Sequence, residues 1–239
     1  MTGAFTAVQG GKVLIDGDIV AYRAAFASQK DFPDRAASKV DEIMSTILKD
    51  TTVFIDHNSY EVYLTGSGNF RHEIAKSADY KGNRKGREKP IHLSFCKDYL
   101  IINYNAKVTE GEEADDAIAI RATELGKDTI IASVDKDFLQ VPCIHYNITK
   151  QDFTKIGEFE GLQKFYSQIL SGDTTDNIIG LSRVGPKTAE KMLKDCRTEL
   201  DMWDVCVQAY GDRVRPLENA RLVWLRRKEG ELWQPPDTR

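Results

Sequence analysis

Soft-metal ligands are scarce in this sequence: 4 histidines and 4 cysteines stand among 239 residues. The cysteines, Cys96, Cys143, Cys196 and Cys206, form no Cys-x-x-Cys pair and fit no zinc-site spacing, so they read as free thiols of a reducing compartment. No run approaches about 18 apolar residues, which excludes an expected membrane-spanning helix. A basic stretch followed by an apolar run is missing from the N-terminus, so no secretory leader is expected and the protein reads as cytoplasmic. A Gly-x-x-x-x-Gly-Lys-Ser/Thr phosphate loop is absent as well. There is also no excess of positive charge. The formal total is −4, which argues against a nonspecific DNA coat but leaves room for an enzyme with an acidic site and a basic surface.

The 41% hydrophobic and 29% charged content is that of a globular chain, long enough for one sizeable core with a smaller appendage. Short apolar runs at Lys12 to Ile15, Thr52 to Ile55, Glu61 to Leu64, Thr129 to Val134 and Cys143 to Ile148 predict strands. Helices are expected at Ile19 to Ala27 and at Ala36 to Leu48, where Val40, Ile43, Met44 and Ile47 share a stripe. Thr109 and Glu112 stand at capping-box spacing and predict a helix to about Leu125. From Phe159 onward the pattern is helical, with helices expected at 161–170, 187–194, 201–208 and 217–227. Strands alternating with helices predict an α/β fold: a mostly parallel central sheet flanked by helices, spanning 1–157, with a small C-terminal helical region over 158–239 packed on it.

Carboxylates recur where a parallel sheet builds its sites, just past the strand ends. Asp16 and Asp18 follow the first strand, Asp56 the second, Asp135 and Asp137 the strand at 129–134. Glu113, Asp115 and Asp116 crowd a helix start, and Asp173 and Asp176 stand three apart in an expected turn. Any one piece reads equally well as a turn or a helix cap. Gathered by one fold, so many like charges must protonate or recruit cations. All-oxygen ligands favour Mg²⁺, with Mn²⁺ able to substitute, over zinc. Two such ions about 4 Å apart can hold a scissile phosphate and activate water. These ten residues are the expected metal set.

The stretch 71–97 carries eight basic side chains against three acidic ones. Only the part after Pro90 reads as helix; the rest is polar and expected to be mobile. Within Asp79 to Arg87, Lys81 and Arg84, with Arg71 upstream, are positioned to support a scissile phosphate. Tyr80 offers a face for a base, and Lys85 and Arg87 grip the backbone. A second phosphate-holding element is Gly180 to Ala189. There Pro186 suits a first helical position, Gly185 permits close approach, and Arg183, Lys187 and Thr188 face an anion. This is a helix–hairpin–helix-like way to hold duplex backbone without reading bases.

Taken in order, Leu14-Ile15-Asp16-Gly17-Asp18, Tyr80-Lys81-Gly82-Asn83-Arg84, Glu113-Ala114-Asp115-Asp116, Ser133-Val134-Asp135-Lys136-Asp137-Phe138, Gly172-Asp173-Thr174-Thr175-Asp176-Asn177 and Val184-Gly185-Pro186-Lys187-Thr188-Ala189 resemble the 5′-nuclease family of flap endonucleases and phage 5′→3′ exonucleases. Over residues 12–195 the likeness is closest to the short exonucleases of T7-like phages, which would put the protein in a host cytoplasm. The resemblance implies a PIN-like core and two Mg²⁺ ions held nearest by Asp16, Asp56, Glu113, Asp115 and Asp135, with Asp137, Asp173 and Asp176 completing the set. It implies an arch at 70–97 steering the 5′ strand through Lys81 and Arg84, and a K⁺ ion at the 180–189 turn. The implied substrate is double-stranded DNA with 5′ ends, nicks or flaps, and RNA–DNA hybrid, acted on by a monomer in DNA replication. The sequence departs from the pattern in carrying Asp18, in the Asp56-His57-Asn58 stretch, in leaving Arg71 to supply an arginine after an insertion, in its short arch and in placing Arg183 where relatives have glycine.

Two rival readings remain at this stage. Asp16-Gly17-Asp18 after a strand also resembles the nucleophile motif of haloacid dehalogenase-like phosphatases, although position 20 is Val rather than a hydroxyl residue. A non-catalytic DNA-binding protein is the other, and the full acidic set speaks against it.

Overall fold

The structure, a computed structural model, describes residues 11–52, 54 and 59–236. Its centre is strand β1 (Val13–Asp16), buried along its whole length, which is why it reads Val-Leu-Ile without polar alternation. β1 lies parallel between β2 (Tyr60–Thr65) and β4 (Ile130–Ser133). β3 (Lys107–Thr109) extends the sheet beyond β2 and β5 (Ile144–Asn147) beyond β4, both parallel; β6 (Asp152–Lys155) adds an antiparallel edge. Among the described residues the strand order is β3-β2-β1-β4-β5-β6. The chain therefore leaves β1 to one side and returns to its other side at β4. The crevice beyond the ends of β1 and β4 is the switch point at which open α/β sheets build their sites.

Helices α1 (Gly17–Ala27), α2 (Pro33–Thr51) and α4 (Leu93–Tyr104) cover one face, with Val20, Ala24, Val40, Met44, Ile47 and Leu100 packed on Ile15 and Leu64. Burying each large aliphatic side chain stabilises the fold by about 1.5–3 kcal/mol. α5 (Ala114–Leu125) covers the other face through Ile118 and Ala122 against Leu14 and Ile131. α6 (Glu158–Ser171), α7 (Pro186–Leu193), α8 (Glu199–Tyr210) and α9 (Val214–Val223) share a second core around Phe165, Tyr166, Trp203 and Trp233. The expected α/β architecture, a mostly parallel sheet between helices, is the one observed.

Between α6 and α7 the two-residue strands β7 (Gly172–Asp173) and β8 (Ile178–Ile179) form a ribbon that closes the 174–177 loop. Its backbones approach so closely that a Cβ on Gly180 would meet the Ser171 carbonyl carbon at 2.2 Å, and one on Gly172 the Gly180 nitrogen at 2.3 Å. Two glycines are required there.

Four local expectations are corrected. The run at 52–55 is not a strand at Thr52 or Phe54: α2 continues through Thr51, Thr52 caps it, and the Phe54 amide turns back to the Thr51 carbonyl at 3.0 Å. The amphipathic stripe of a long helix overrides local β-propensity; the rest of that run, and Asp56 with it, lies outside the described residues. Thr109 sits in β3 and its hydroxyl donates to the Glu112 carbonyl at 2.8 Å, so α5 starts at Ala114 without that capping box. The last helix stops at Val223, because its end is tied to Arg71 and Gln140. Finally, the basic segment is anchored rather than loose. α3 (Arg71–Ile74) forms one turn, and residues 79–84 are bonded to the 174–177 loop.

Candidate metal centre and nucleic-acid interface

Each strand-end carboxylate is held by the backbone that follows it. Asp16 is the N-cap of α1: one oxygen accepts the Ile19 amide at 3.1 Å, the other the Ser133 hydroxyl at 2.7 Å. Asp135 caps the 3-10 turn at Lys136–Gln140 by accepting the Asp137 amide at 2.9 Å. Asp173 folds its loop by accepting the Thr175 and Asp176 amides at 2.7 and 3.3 Å. Capping and ligation are thus compatible here. The cap fixes the direction of the carboxylate and leaves further lone pairs open.

Asp115 differs, since no described residue hydrogen-bonds its side chain. Burial raises its carboxyl well above the usual range, and repulsion from Asp16, Glu113 and Asp135 adds to the effect. Burial likewise lifts Asp16 to about 7, opposed by Ser133 and Ile19 and reinforced by Asp18 and Asp135. Asp137 also stands at about 7, from desolvation and then from Asp135 and Asp173. Asp135 has an edge in solvent yet is desolvated enough to be raised; the Asp137 amide opposes this, while Asp176 and Asp173 add to it. Glu113 is the exception. Burial would raise it, but Lys81 and Arg71 outweigh that and hold it below the ordinary value. The cluster is therefore a set of carboxylates that cannot all ionise without added positive charge.

This donor set suits hard divalent cations. It is all oxygen, and it contains a desolvated carboxylate, Asp115, that no described side chain pairs with or hydrogen-bonds, although the Lys81 charge eases its repulsion in part. Among the described residues no three such side chains already converge on one ion position. Protein cations occupy some of the oxygens instead. Lys81 pairs with Glu113 and lies 3.6 Å from Asp176, Arg84 pairs with Asp176, and Lys136 lies 3.7 Å from Asp173.

Several of the expected site residues do other work. Asp116 is completely buried and held by the Arg71 fork at 2.5 and 2.9 Å; the same guanidinium donates to the Leu222 and Trp224 carbonyls at 2.8 and 2.7 Å. Arg71 and Asp116 therefore satisfy each other, which removes Arg71 from reach of a phosphate and Asp116 from the free carboxylates. Tyr80 was expected to present a face to a base. Its ring is instead buried in the second core, and its hydroxyl bridges Glu113 and Asp176, each at 2.8 Å. Asp18 stands aside, pairing with Lys97 at 2.5 Å and accepting the Thr65 amide at 2.9 Å.

Lys81 and Arg84 do lie at the acidic cluster. Lys85 makes an exposed pair with Asp79 at 2.8 Å, and Arg87 is exposed. Arg183, Gly185, Lys187 and Thr188 are exposed around the start of α7, where Pro186 is the first helical residue as expected. Arg183 adopts φ 63°, a left-handed conformation natural to glycine, so the turn keeps its shape without one.

A profile of the family described as 5′-3′ exonuclease, N-terminal resolvase-like domain, matches residues 12–166. The chain belongs to the 5′–3′ exonuclease family. It is 30% identical over 210 residues to DNA polymerase I of Bacillus caldotenax, a match that takes in 78% of this chain and 23% of that one. The chain thus spans about a quarter of the length of that polymerase. It is 32% identical over 154 residues to flap endonuclease Xni of Shewanella piezotolerans, covering 59% of this chain and 60% of the relative. A structure of the T5 5′-exonuclease with bound zinc shares the fold, with a TM-score of 0.68, 20% identity and coverage of 89% of each chain.

Membership of the 5′–3′ exonuclease family removes the phosphatase alternative. The narrower likeness to T7-like phage enzymes is corrected to a broader kinship with polymerase-linked 5′ exonucleases, bacterial flap endonucleases and the T5 fold. Among the described residues no helix is long and apolar enough to cross a membrane.

The sequence reading missed two neutral partners of the acids, Ser133 on Asp16 and Gln168 on Asp137 at 2.5 Å. Only the position of Ser133 two residues before Asp135 hinted at either.

Proposed function

We propose that this chain is a Mg²⁺-dependent 5′→3′ exonuclease that hydrolyses phosphodiester bonds of duplex DNA from 5′ ends and nicks, trims flaps and removes RNA from RNA–DNA hybrid. The observation that carries the reading is the desolvated, unpartnered Asp115 among Asp16, Glu113 and Asp135, with two basic side chains of one short segment reaching the same cluster. Asp16, Glu113, Asp115 and Asp135 would hold one Mg²⁺ or Mn²⁺ ion, and Asp137, Asp173 and Asp176 a second. When bound, such ions supply charge to offset the carboxylates and to draw the scissile phosphate and attacking water together.

The chain's own part is largely electrostatic and positional. Lys81 and Arg84, released from Glu113 and Asp176, would lie against the non-bridging phosphate oxygens and support the charge that builds there. Tyr80 holds Glu113 and Asp176 together from below. Arg87, Arg183, Lys187 and the exposed backbone and hydroxyl at Gly185 and Thr188 offer contacts to duplex phosphates, with K⁺ at the 180–189 turn. Phosphate contacts of this kind fix register and carry no sequence information, so the enzyme would recognise strand ends rather than base order. We further propose that 1–157 and 158–239 act as catalytic and duplex-binding regions of a monomer.

The test is digestion of 5′-labelled blunt, nicked, flapped and hybrid substrates in parallel, with Mg²⁺ and with EDTA, followed by sizing of the first product. Short 5′-labelled products that require the cation are expected. Clean protein that leaves every substrate intact in Mg²⁺ and Mn²⁺ would overturn the proposal.

A further inference from the structure

Besides Glu113 and Asp176, which share the Tyr80 hydroxyl, two further carboxylates of the cluster receive a neutral side-chain donor from outside it. Ser133 ends β4 and is buried, directly beside the end of β1, where the register pairs Ile15 with Ala132. Its oxygen accepts the Asp135 amide at 3.0 Å and its hydroxyl donates to Asp16 at 2.7 Å. The amide bond uses a lone pair and leaves the hydroxyl proton to Asp16, so one small side chain ties two acids on neighbouring strands. Gln168 does the corresponding job on the other side. It projects from α6, the helix that runs into Asp173, and its amide donates to Asp137 at 2.5 Å. An acid in the turn that follows β4 is thereby tied to the helix that delivers Asp173.

The neutrality of both donors matters. Lys81 and Arg84 orient Glu113 and Asp176 but also cancel their charge, and an incoming cation must displace them. A hydroxyl or an amide orients a carboxylate and leaves its full charge for the cation. Outer partners of this kind are worth about 10–100-fold in metal affinity.

We propose that Ser133 and Gln168 are positioning residues that hold Asp16 with Asp135, and Asp137 with Asp173, ready for divalent cations. This rests on the nuclease reading above. The test is Mn²⁺ binding without DNA, followed by the electron paramagnetic resonance of free Mn²⁺, on the parent protein and on Ser133→Thr, Ser133→Val and Gln168→Met. Thr and Val share a shape and differ in the hydroxyl, so Ser133→Thr should bind as the parent does and Ser133→Val about tenfold or more weakly. Gln168→Met should weaken binding by a similar factor, and in cleavage both weakened variants should need more Mg²⁺ to reach half-maximal rate. Melting in EDTA checks that each is folded; should Ser133→Val fail, Ser133→Ala, which adds no bulk, carries the comparison. Equal Mn²⁺ affinity across folded variants overturns the positioning role and leaves the nuclease reading standing. A parent that binds no Mn²⁺ overturns both.

Discussion

Asp115 and Asp116 are neighbours in sequence with opposite situations. Asp116 is enclosed by the Arg71 fork, and Asp115 faces other acids without a partner. Asp116→Ala would leave a buried guanidinium without the carboxylate that hydrogen-bonds it, a loss that costs up to about 3–5 kcal/mol. Its melting temperature should fall with or without Mg²⁺. Asp115→Asn removes a repelled charge, so in EDTA it should melt no lower than the parent, while its cleavage and its gain in stability from Mg²⁺ should both collapse. Thermal melts of the two variants in both conditions check this, and a Mg²⁺-dependent gain retained by Asp115→Asn would count against it.

Acidity follows the same logic. Asp16 and Asp137 stand at about 7 in the folded chain against 3.8 when unfolded. Between those values the native state binds more protons than the unfolded one, so metal-free stability should fall as pH rises from about 4 to 7 and then level off. Added Mg²⁺ should raise the melting temperature more at pH 8 than at pH 5. At this scale the sequence was partly legible. Strand-end placement marked most of the acids that gather, because a parallel sheet puts its strand ends together. Spacing alone did not separate Asp115 from Asp116, which only the family resemblance set apart, and it did not foresee the burial of Tyr80, since those outcomes depend on Arg71, on the tail at 222–224 and on a core contributed by distant helices.

At the scale of elements, the β7–β8 ribbon is the least forgiving piece. It aims Asp173 and Asp176 by bringing two backbones closer than any Cβ allows. Gly180→Ala should therefore displace the 174–177 loop, and with it Lys81, Asn83 and Arg84, which bond to that loop. A loss of cleavage much larger than the loss of melting temperature is expected, and an unchanged rate would mean the loop tolerates the shift. Periodicity located α1, α2 and the strands at β1, β4 and β5 well. It misread Thr52 and Phe54, because β-branched residues at the end of a long amphipathic helix look the same in sequence as the start of a buried strand.

For the whole molecule, the proposed function predicts salt-sensitive DNA binding through exposed cations on two separate elements, despite the net charge of −4. Lys187→Ala should reduce the slope of log affinity against log salt by about 1 and weaken binding alike on unrelated sequences. Fluorescence titrations at several salt concentrations measure the slope, and a sequence-dependent loss would contradict backbone grip.

The Arg71 fork touches α5 through Asp116 and the end of α9 through Leu222 and Trp224, and Gln140 repeats the stitch by donating to the Val223 carbonyl and accepting the Leu225 amide, each at 2.9 Å. The sheet and the C-terminal helices are therefore laced through polar atoms that neither half can satisfy alone. Heating should undo them together: calorimetry should give a single endotherm, and a protease should find no surviving half-molecule on the way.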